Sequence, residues 1–399
     1  HHGLPGPRPL PQGCAAGTAF REATAEVLSA AGIEVLALPP QQPTPVTAFA
    51  VRHLGADAGV MITASHNPAT DNGYKVYDAS GSQIIPPADR EIAALIDAAA
   101  RADEIPRSRG LIREVDVLGD YLARAVSLID APSSQPVIVT TALHGVGGAV
   151  LAEALRRAGF TDVHPVAEQE HPDPDFPTVA FPNPEEDGTL DLACALAERV
   201  GADLILALDP DADRCAVAVP GRQFTGDEIG AVLGWDVASR ATGGTLACSN
   251  VSSRLLGKIA AHHGLGFAET DTGFKWIARV PDLIFGYEEA LGYCVDPQFV
   301  ADKDGITACL RVAEVASKSD LVTLLDDLGE RFGHHLTRQV AVRVERAAGE
   351  KVVREIGPDR VIVRPSGTEP KIKYYYEAVA PTRAEAQARL DRLVADRHP

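Results

Sequence analysis

Four apolar runs of strand length, each ending in a cluster of polar side chains, constrain this chain more than any other feature. AGVMIT (58–63) stops at Ala64, Ser65, His66, Asn67 and Pro68. ADLILAL runs into DPDADR, PDLIFGY into EEALGY, and DRVIVR into PSGTEP. Helical punctuation lies between them: GTAFREATAEVLSAAG closes on Gly32, PADREIAALIDAAARA opens beside prolines, and TRAEAQARLDRLVADR begins with Thr382 and Glu385 at capping-box spacing. Short strands alternating with helices are the pattern of α/β domains. In open α/β sheets, ligands bind where loops leave the carboxyl ends of strands. Four such endings, too far apart for one small sheet, predict one functional loop per domain, all facing one cleft. Breaks near Ala131-Pro132-Ser133-Ser134, Pro220-Gly221 and Gly333 give expected domains at 1–132, 133–221, 222–333 and 334–399.

Composition narrows the class. A chain of 399 residues has room for several domains. With 37 basic and 55 acidic residues the net charge is −18, which argues against a nucleic-acid partner. A few local arginines and lysines can still make a basic cleft for an anionic substrate. No window approaches the ~18 uninterrupted apolar residues of a membrane span, and HHGLPGPRPLPQG lacks the basic-then-apolar layout of a secretory signal. Six cysteines without a C-x-x-C pair predict reduced thiols in a cytoplasmic protein.

Each loop carries its own chemistry. Asp209, Asp211 and Asp213 alternate in DPDADR; carboxylates ~5 Å apart repel by about 3 kcal/mol per pair at an effective dielectric of ~20. A divalent cation removes that repulsion, and hard oxygen donors without His or Cys favour Mg²⁺. The EF-hand pattern fails, with Arg214 in place of its glycine and Pro220 in place of its last glutamate. A D-x-D-x-T loop also fits poorly, since Asp213 takes the fifth place; a solvated acidic turn is the plain alternative. Arg214 stands beside the trio, suited to a phosphate. RPSGTEPK joins Arg364, Ser366, Gly367, Thr368 and Lys371, a bidentate phosphate partner followed by hydroxyls and turn N–H groups. Glu288 and Glu289 suit acid/base work or sugar hydroxyls, although a solvated turn explains them equally. In TGFKWIARV, Phe274 and Trp276 read as core and Lys275 as solvent-facing unless that loop meets the cleft. Ser65 lies between Ala64 and His66, so the G-x-S-x-G nucleophile elbow is absent. A serine with a three-aspartate loop and a phosphate cradle instead suggests phosphoryl transfer, with Ser65 carrying the group.

TASHNP with NGYK, DPDADR, GYEEALGY and RPSGTEPK, in this order, resemble the α-D-phosphohexomutases, the phosphoglucomutases and phosphomannomutases, from about Ala23 to about Glu377. The resemblance implies three similar α/β domains and a smaller C-terminal α+β domain around a central cleft. It also implies Mg²⁺, a small-molecule phosphosugar substrate, and interconversion of glucose or mannose 1- and 6-phosphates through a phosphoserine and a bound bisphosphate. Sugar 1,6-bisphosphate would be the activator. Carried over residue by residue, Ser65 is the phosphoserine and joins Asp209, Asp211 and Asp213 at the metal. His66 neighbours the phosphoserine, Lys75 is general acid or base, and Arg214 completes the catalytic group. Lys275, Glu288 and Ala290 face the substrate, and Arg364, Ser366, Gly367 and Thr368 form the phosphate cradle.

Two departures stand out. The family's usual opening segment of G-T-[SA]-G-[IL]-R-G type is not found before PRPLPQG, so domain one is expected to be incomplete at its amino end. Ala290 stands where many members have serine, which leaves the sugar open and keeps a phosphopentomutase in view. A sugar-phosphate phosphatase would differ by releasing free phosphate. A silent phosphosugar-binding protein would have lost Ser65 or an aspartate, and this chain keeps all four.

Overall fold

Gly32 adopts a φ of 85°, a conformation that costs a glycine little, and turns the chain from helix α1 (Cys14–Ala30) toward the first strand. The computed structural model describes residues 14–345, 349–365 and 370–396. The first unit continues with β1 (Val35–Ala37), α2 (Thr44–His53), β2 (Ala58–Ile62), β3 (Tyr74–Asp78), α3 (Ala88–Asp97) and β4 (Ile112–Glu114). Its described strands form two two-stranded sheets, β1 parallel to β4 and β2 antiparallel to β3. Helix α2 buries Val46, Phe49, Ala50 and Val51.

The second unit holds α4 (Leu118–Ser127), β5 (Ile138–Thr141), α5 (Gly148–Arg157), β6 (Val163–Pro165), α6 (Asp191–Val200), β7 (Leu204–Leu208), β8 (Cys215–Val219) and β9 (Arg222–Gln223). The sheet order is β6-β5-β7-β8-β9, with β6, β5 and β7 parallel. Every residue of β7 is buried, because a central strand covered on both faces reads as a continuous apolar run. The third unit begins with α7 (Gly226–Arg240), whose Thr225 and Glu228 form a reciprocal capping box. It continues with β10 (Thr245–Ser249), α8 (Leu255–His262), β11 (Gly266–Thr270), α9 (Phe274–Ile277), β12 (Leu283–Glu288), β13 (Gly292–Cys294), α10 (Gly305–Lys318) and α11 (Leu321–Phe332). Its sheet runs β11-β10-β12-β13.

The last unit differs in kind. Strands β14 (His334–Arg343), β15 (Val352–Ile356), β16 (Asp359–Pro365) and β17 (Lys371–Ala380) make an antiparallel sheet in the order β14-β17-β16-β15. Helix α12 (Arg383–Ala395) covers it, and Thr382 accepts the Glu385 N–H at its start. One continuous apolar core runs through the first three units, whereas the last has its own, built on Leu336, Val361, Tyr376, Ala378 and Leu390. Val251, Ile362 and Tyr375 join the two. No helix among the described residues is long and apolar enough to cross a membrane, and Cys194, Cys215, Cys248, Cys294 and Cys309 are free thiols.

The turn after β5 supports the DPDADR loop from behind. Leu143 and His144 take left-handed φ values of 47° and 61°, and the Val146 N–H donates to the Pro210 carbonyl at 2.8 Å. A β-carbon on Gly145 would lie 2.3 Å from Pro210 Cα. Gly145→Ala is therefore expected to cost about 1–3 kcal/mol and to lower the thermal midpoint by roughly a few °C. Calorimetric melts check this; an unchanged midpoint would show that the turn yields.

Candidate active site

Beyond β2, Thr63 Oγ1 accepts the Ser65 N–H at 2.9 Å, and the Thr63 N–H donates to the Gly73 carbonyl at 3.1 Å. Gly73 is required there, since a β-carbon would fall 2.2 Å from the Thr63 oxygen. Ser65 itself sits at φ 52°, a left-handed conformation that is uncommon outside glycine and that gathers at functional sites. Held so, its Oγ donates to Asp209 Oδ2 at 3.0 Å. The carboxyl ends of β2 and β7 therefore meet.

Asp209, Asp211 and Asp213 are all buried, with one ligand oxygen of each within 4.8 Å of the others. Their neighbours are cations and hydroxyls. Lys75, paired across the β2–β3 hairpin with Met61, donates to Asp211 Oδ2 and Asp213 Oδ2, each at 2.8 Å. Thr44 Oγ1 donates to Asp211 Oδ2 at 2.7 Å, and Lys303 Nζ stands 3.3 Å from Asp213 Oδ2. Burial would lower the Lys75 ammonium, but Asp211 and Asp213 overcome it and hold its pKa well above the ordinary value. Burial, reinforced by Asp211 and Asp213, pushes Asp209 well above the carboxylate range. Burial would raise Asp213 too, yet Lys303, Lys75 and Arg214 hold it below that range. Asp211 Oδ1 and Asp213 Oδ1 remain buried without a hydrogen-bond partner, an arrangement that costs free energy unless a donor or cation meets them. Three hard oxygen donors, two of them with an orphaned oxygen, fit a divalent metal ion.

Around the trio the other loops close in. The Arg214 N–H donates to Asp209 Oδ1 at 3.0 Å, and its guanidinium reaches His66 Nε2 at 2.8 Å and Glu185 at 3.2 Å. His66 must accept through Nε2; burial first, then Arg214, lowers its pKa to about 3, so it is a neutral imidazole at neutral pH. Arg214 and Gly292 form a β-bridge, tying the metal loop to the loop after β12. Glu288 Oε1 accepts the Gly273 N–H at 2.7 Å, so the TGFKW loop does meet the sugar loop, with Phe274 buried as core and Lys275 half-buried. Ala290 lies half-buried at the turn between β12 and β13 and offers no side-chain hydroxyl. Glu289 points elsewhere, its carboxylate accepting from Ser249 Oγ at 2.8 Å; burial, then Glu288 and Asp227, pushes its pKa up to about 7. Arg364 donates to Thr272 Oγ1 from the end of β16, and its Nε is buried without a partner. Ser366, Gly367 and Thr368 lie outside the described residues.

Thr44, Glu185 and Lys303 escaped the sequence reading. Lys303 falls in ADKDG just before α10, where Asp304 caps the helix by accepting the Ile306 and Thr307 N–H groups, and in sequence it looks like a solvated turn. The one signal is a lysine set between two aspartates.

Such an arrangement has the chemistry of an enzyme that moves a phosphoryl group: a presented hydroxyl, a metal-competent carboxylate trio, and arginines for phosphate. The family description "Phosphoglucomutase/phosphomannomutase" matches in four parts: alpha/beta/alpha domain I at residues 15–103, domain II at 119–222, domain III at 225–332, and the C-terminal domain at 310–395. The chain belongs to this family. A Haemophilus influenzae protein named "Probable phosphomannomutase" is 41% identical over 430 residues, covering 94% of this chain and 88% of that protein. Human phosphopentomutase is 34% identical over 457 residues, covering 91% and 74%. A crystal structure from Thermus thermophilus, solved under the phosphomannomutase name, superposes with a TM-score of 0.76 at 26% identity, covering 95% of this chain and 87% of the other.

Proposed function

We propose that the enzyme interconverts the 1- and 6-phosphates of a hexose, glucose or mannose, through phosphorylated Ser65 and a sugar bisphosphate. The observation that carries this reading is the contact between Ser65 Oγ and Asp209, from loops 144 residues apart, in a chain of this family. Mg²⁺ held by Asp209, Asp211, Asp213 and the Ser65 oxygen would neutralise the trio and withdraw charge from the phosphoryl oxygens in flight. As the sugar hydroxyl attacks phosphorus, the bond to Ser65 Oγ breaks and that oxygen takes up a proton, which Lys75 is charged to supply. Lys303 and Arg214 counter the phosphate's charge, and Glu185 and His66 hold the Arg214 fork in place. Glu288 accepts from a sugar hydroxyl, with Lys275 nearby on the loop it fastens. Arg364, with Ser366, Gly367 and Thr368, grips the phosphate that is not reacting. After the bisphosphate reorients, its other phosphate returns to Ser65. Free thiols suit a cytoplasmic setting for this reaction.

The test is phosphorus NMR of purified protein with Mg²⁺, glucose or mannose 1-phosphate and a trace of the matching 1,6-bisphosphate. Growth of the 6-phosphate signal is expected; a signal for free phosphate alone overturns the proposal. Arg364→Ala loses a charge-assisted phosphate contact of roughly 1.5–3 kcal/mol, so KM should rise about tenfold or more. An unchanged KM would remove β16 from the site.

Ala290 favours one second reading, a pentose 1-phosphate as substrate, because the turn lacks a hydroxyl for a larger sugar. Ribose 1-phosphate turned over faster than either hexose would establish it. On that outcome Ala290→Ser should shift the ratio of kcat/KM values toward hexose by roughly 5–10-fold, the worth of about one hydrogen bond.

A further inference from the structure

Glu289 is the member of the Glu-Glu pair that the mechanism leaves unused, and its contacts lead to the fourth unit. Its carboxylate accepts from Ser249 Oγ at 2.8 Å and from Ser252 Oγ at 3.3 Å. Its own N–H donates to Ser252 Oγ at 3.1 Å, and the two serine hydroxyls are 2.8 Å apart. Ser249 and Ser252 are both fully buried. The loop after β12 is thus fastened at residue 289 to the turn after β10, by side chain and backbone together.

The C-terminal unit grips that same turn from the other side. Arg360 Nη2 donates to the Ser252 carbonyl at 2.5 Å. Glu377 accepts from Ser253 Oγ at 2.9 Å, from the Arg254 N–H at 2.9 Å and from Arg254 Nε at 2.6 Å. His335 Nδ1 lies 2.8 Å from Glu377. Truncating one partner of a buried, charged contact leaves the other unsatisfied, so this junction has a defined seat. The apolar bridge between the two cores is small, which leaves these polar contacts to set the angle of the unit that carries Arg364.

We propose that Glu289 is a positioning residue, and that the turn 252–254 couples the placement of the sugar-binding loop to the placement of the phosphate-binding unit. A shift of Arg360 and Glu377 moves Ser252, and Ser252 moves the backbone at 289, one residue from Glu288. The sugar and the distal phosphate are therefore gripped in register. This rests on reading 288–290 as the sugar loop and β16 as a phosphate-binding element.

The test uses the full chain carrying Glu289→Gln, Arg360→Lys, or both. Each single variant should raise KM for the hexose 1-phosphate by about fivefold or more with kcat changed less than about twofold, and the double variant should be no worse than about twice the more damaging single one, because both act through one turn. Hydrogen–deuterium exchange of ligand-free Arg360→Lys should show faster exchange at 286–292, although that loop belongs to the third unit. If Arg360→Lys does not fold, Ser252→Ala replaces it with the same expectations. Multiplying KM effects, or exchange at 286–292 equal to the parent, overturns the coupling. The exchange measurement needs no turnover, so a parent chain without mutase activity would sink the proposed reaction and still decide the coupling.

Discussion

Ser65→Ala is expected to lose mutase turnover by about four orders of magnitude or more, the scale seen when a covalent nucleophile is removed. Freshly purified parent protein should carry a fraction one phosphate heavier, mapping to the peptide with Ser65, and the variant should lack it. Stimulation by sugar 1,6-bisphosphate should disappear with it, because that compound recharges a dephosphorylated serine. Folding should be little affected: Ser65 makes one side-chain contact, to Asp209, and alanine retains the β-carbon. A melt with the parent's midpoint, alongside lost activity, separates chemistry from stability. A variant that keeps both the phosphate and turnover would remove Ser65 from the reaction.

Asp211→Ala should lower turnover by about a thousandfold and abolish its dependence on Mg²⁺, since the trio loses a ligand whose second oxygen has no other partner. The loss has a second source. Asp211 Oδ2 holds both Lys75 and Thr44, so the variant also releases the proposed proton donor and a buried hydroxyl. Asp211→Asn keeps an oxygen for Thr44 and Lys75 while removing the negative charge. If it fails as badly as alanine, charge at the metal dominates; if it recovers most turnover, positioning of Lys75 does. Mg²⁺-stimulated turnover near the parent level in both would contradict the metal assignment.

Much of the site was legible because strand ends are legible. Apolar runs stopping at Ser65, Asp209, Glu288 and Arg364 mark where loops leave a sheet, and the structure brings Ser65 to Asp209, Arg214 to Gly292, and Arg364 to Thr272. The Thr382 cap was readable for a similar reason, since helix capping is local. Thr44, 167 residues from its partner Asp211, has no local pattern to betray it, because a threonine near a helix start looks like any other. Lys303 reads as part of a helix-capping turn. The roles of Glu288 and Glu289 also needed the fold: adjacent glutamates leave a strand end in different directions, one accepting from Gly273 and the other from Ser249. Ser249 and Ser252, in a stretch that reads as an ordinary polar loop, become fully buried only once the third and fourth units meet.

The most direct test of the account follows a single phosphate. Sugar 1-phosphate labelled with radioactive phosphorus is incubated with the enzyme, Mg²⁺ and a trace of unlabelled 1,6-bisphosphate, and the label is sought in serine, in bisphosphate, in 6-phosphate and in free phosphate. Transfer through Ser65 predicts label first on the protein and in the bisphosphate, then in the 6-phosphate, with little free phosphate. Label recovered mainly as inorganic phosphate, released in step with loss of the substrate, would contradict it.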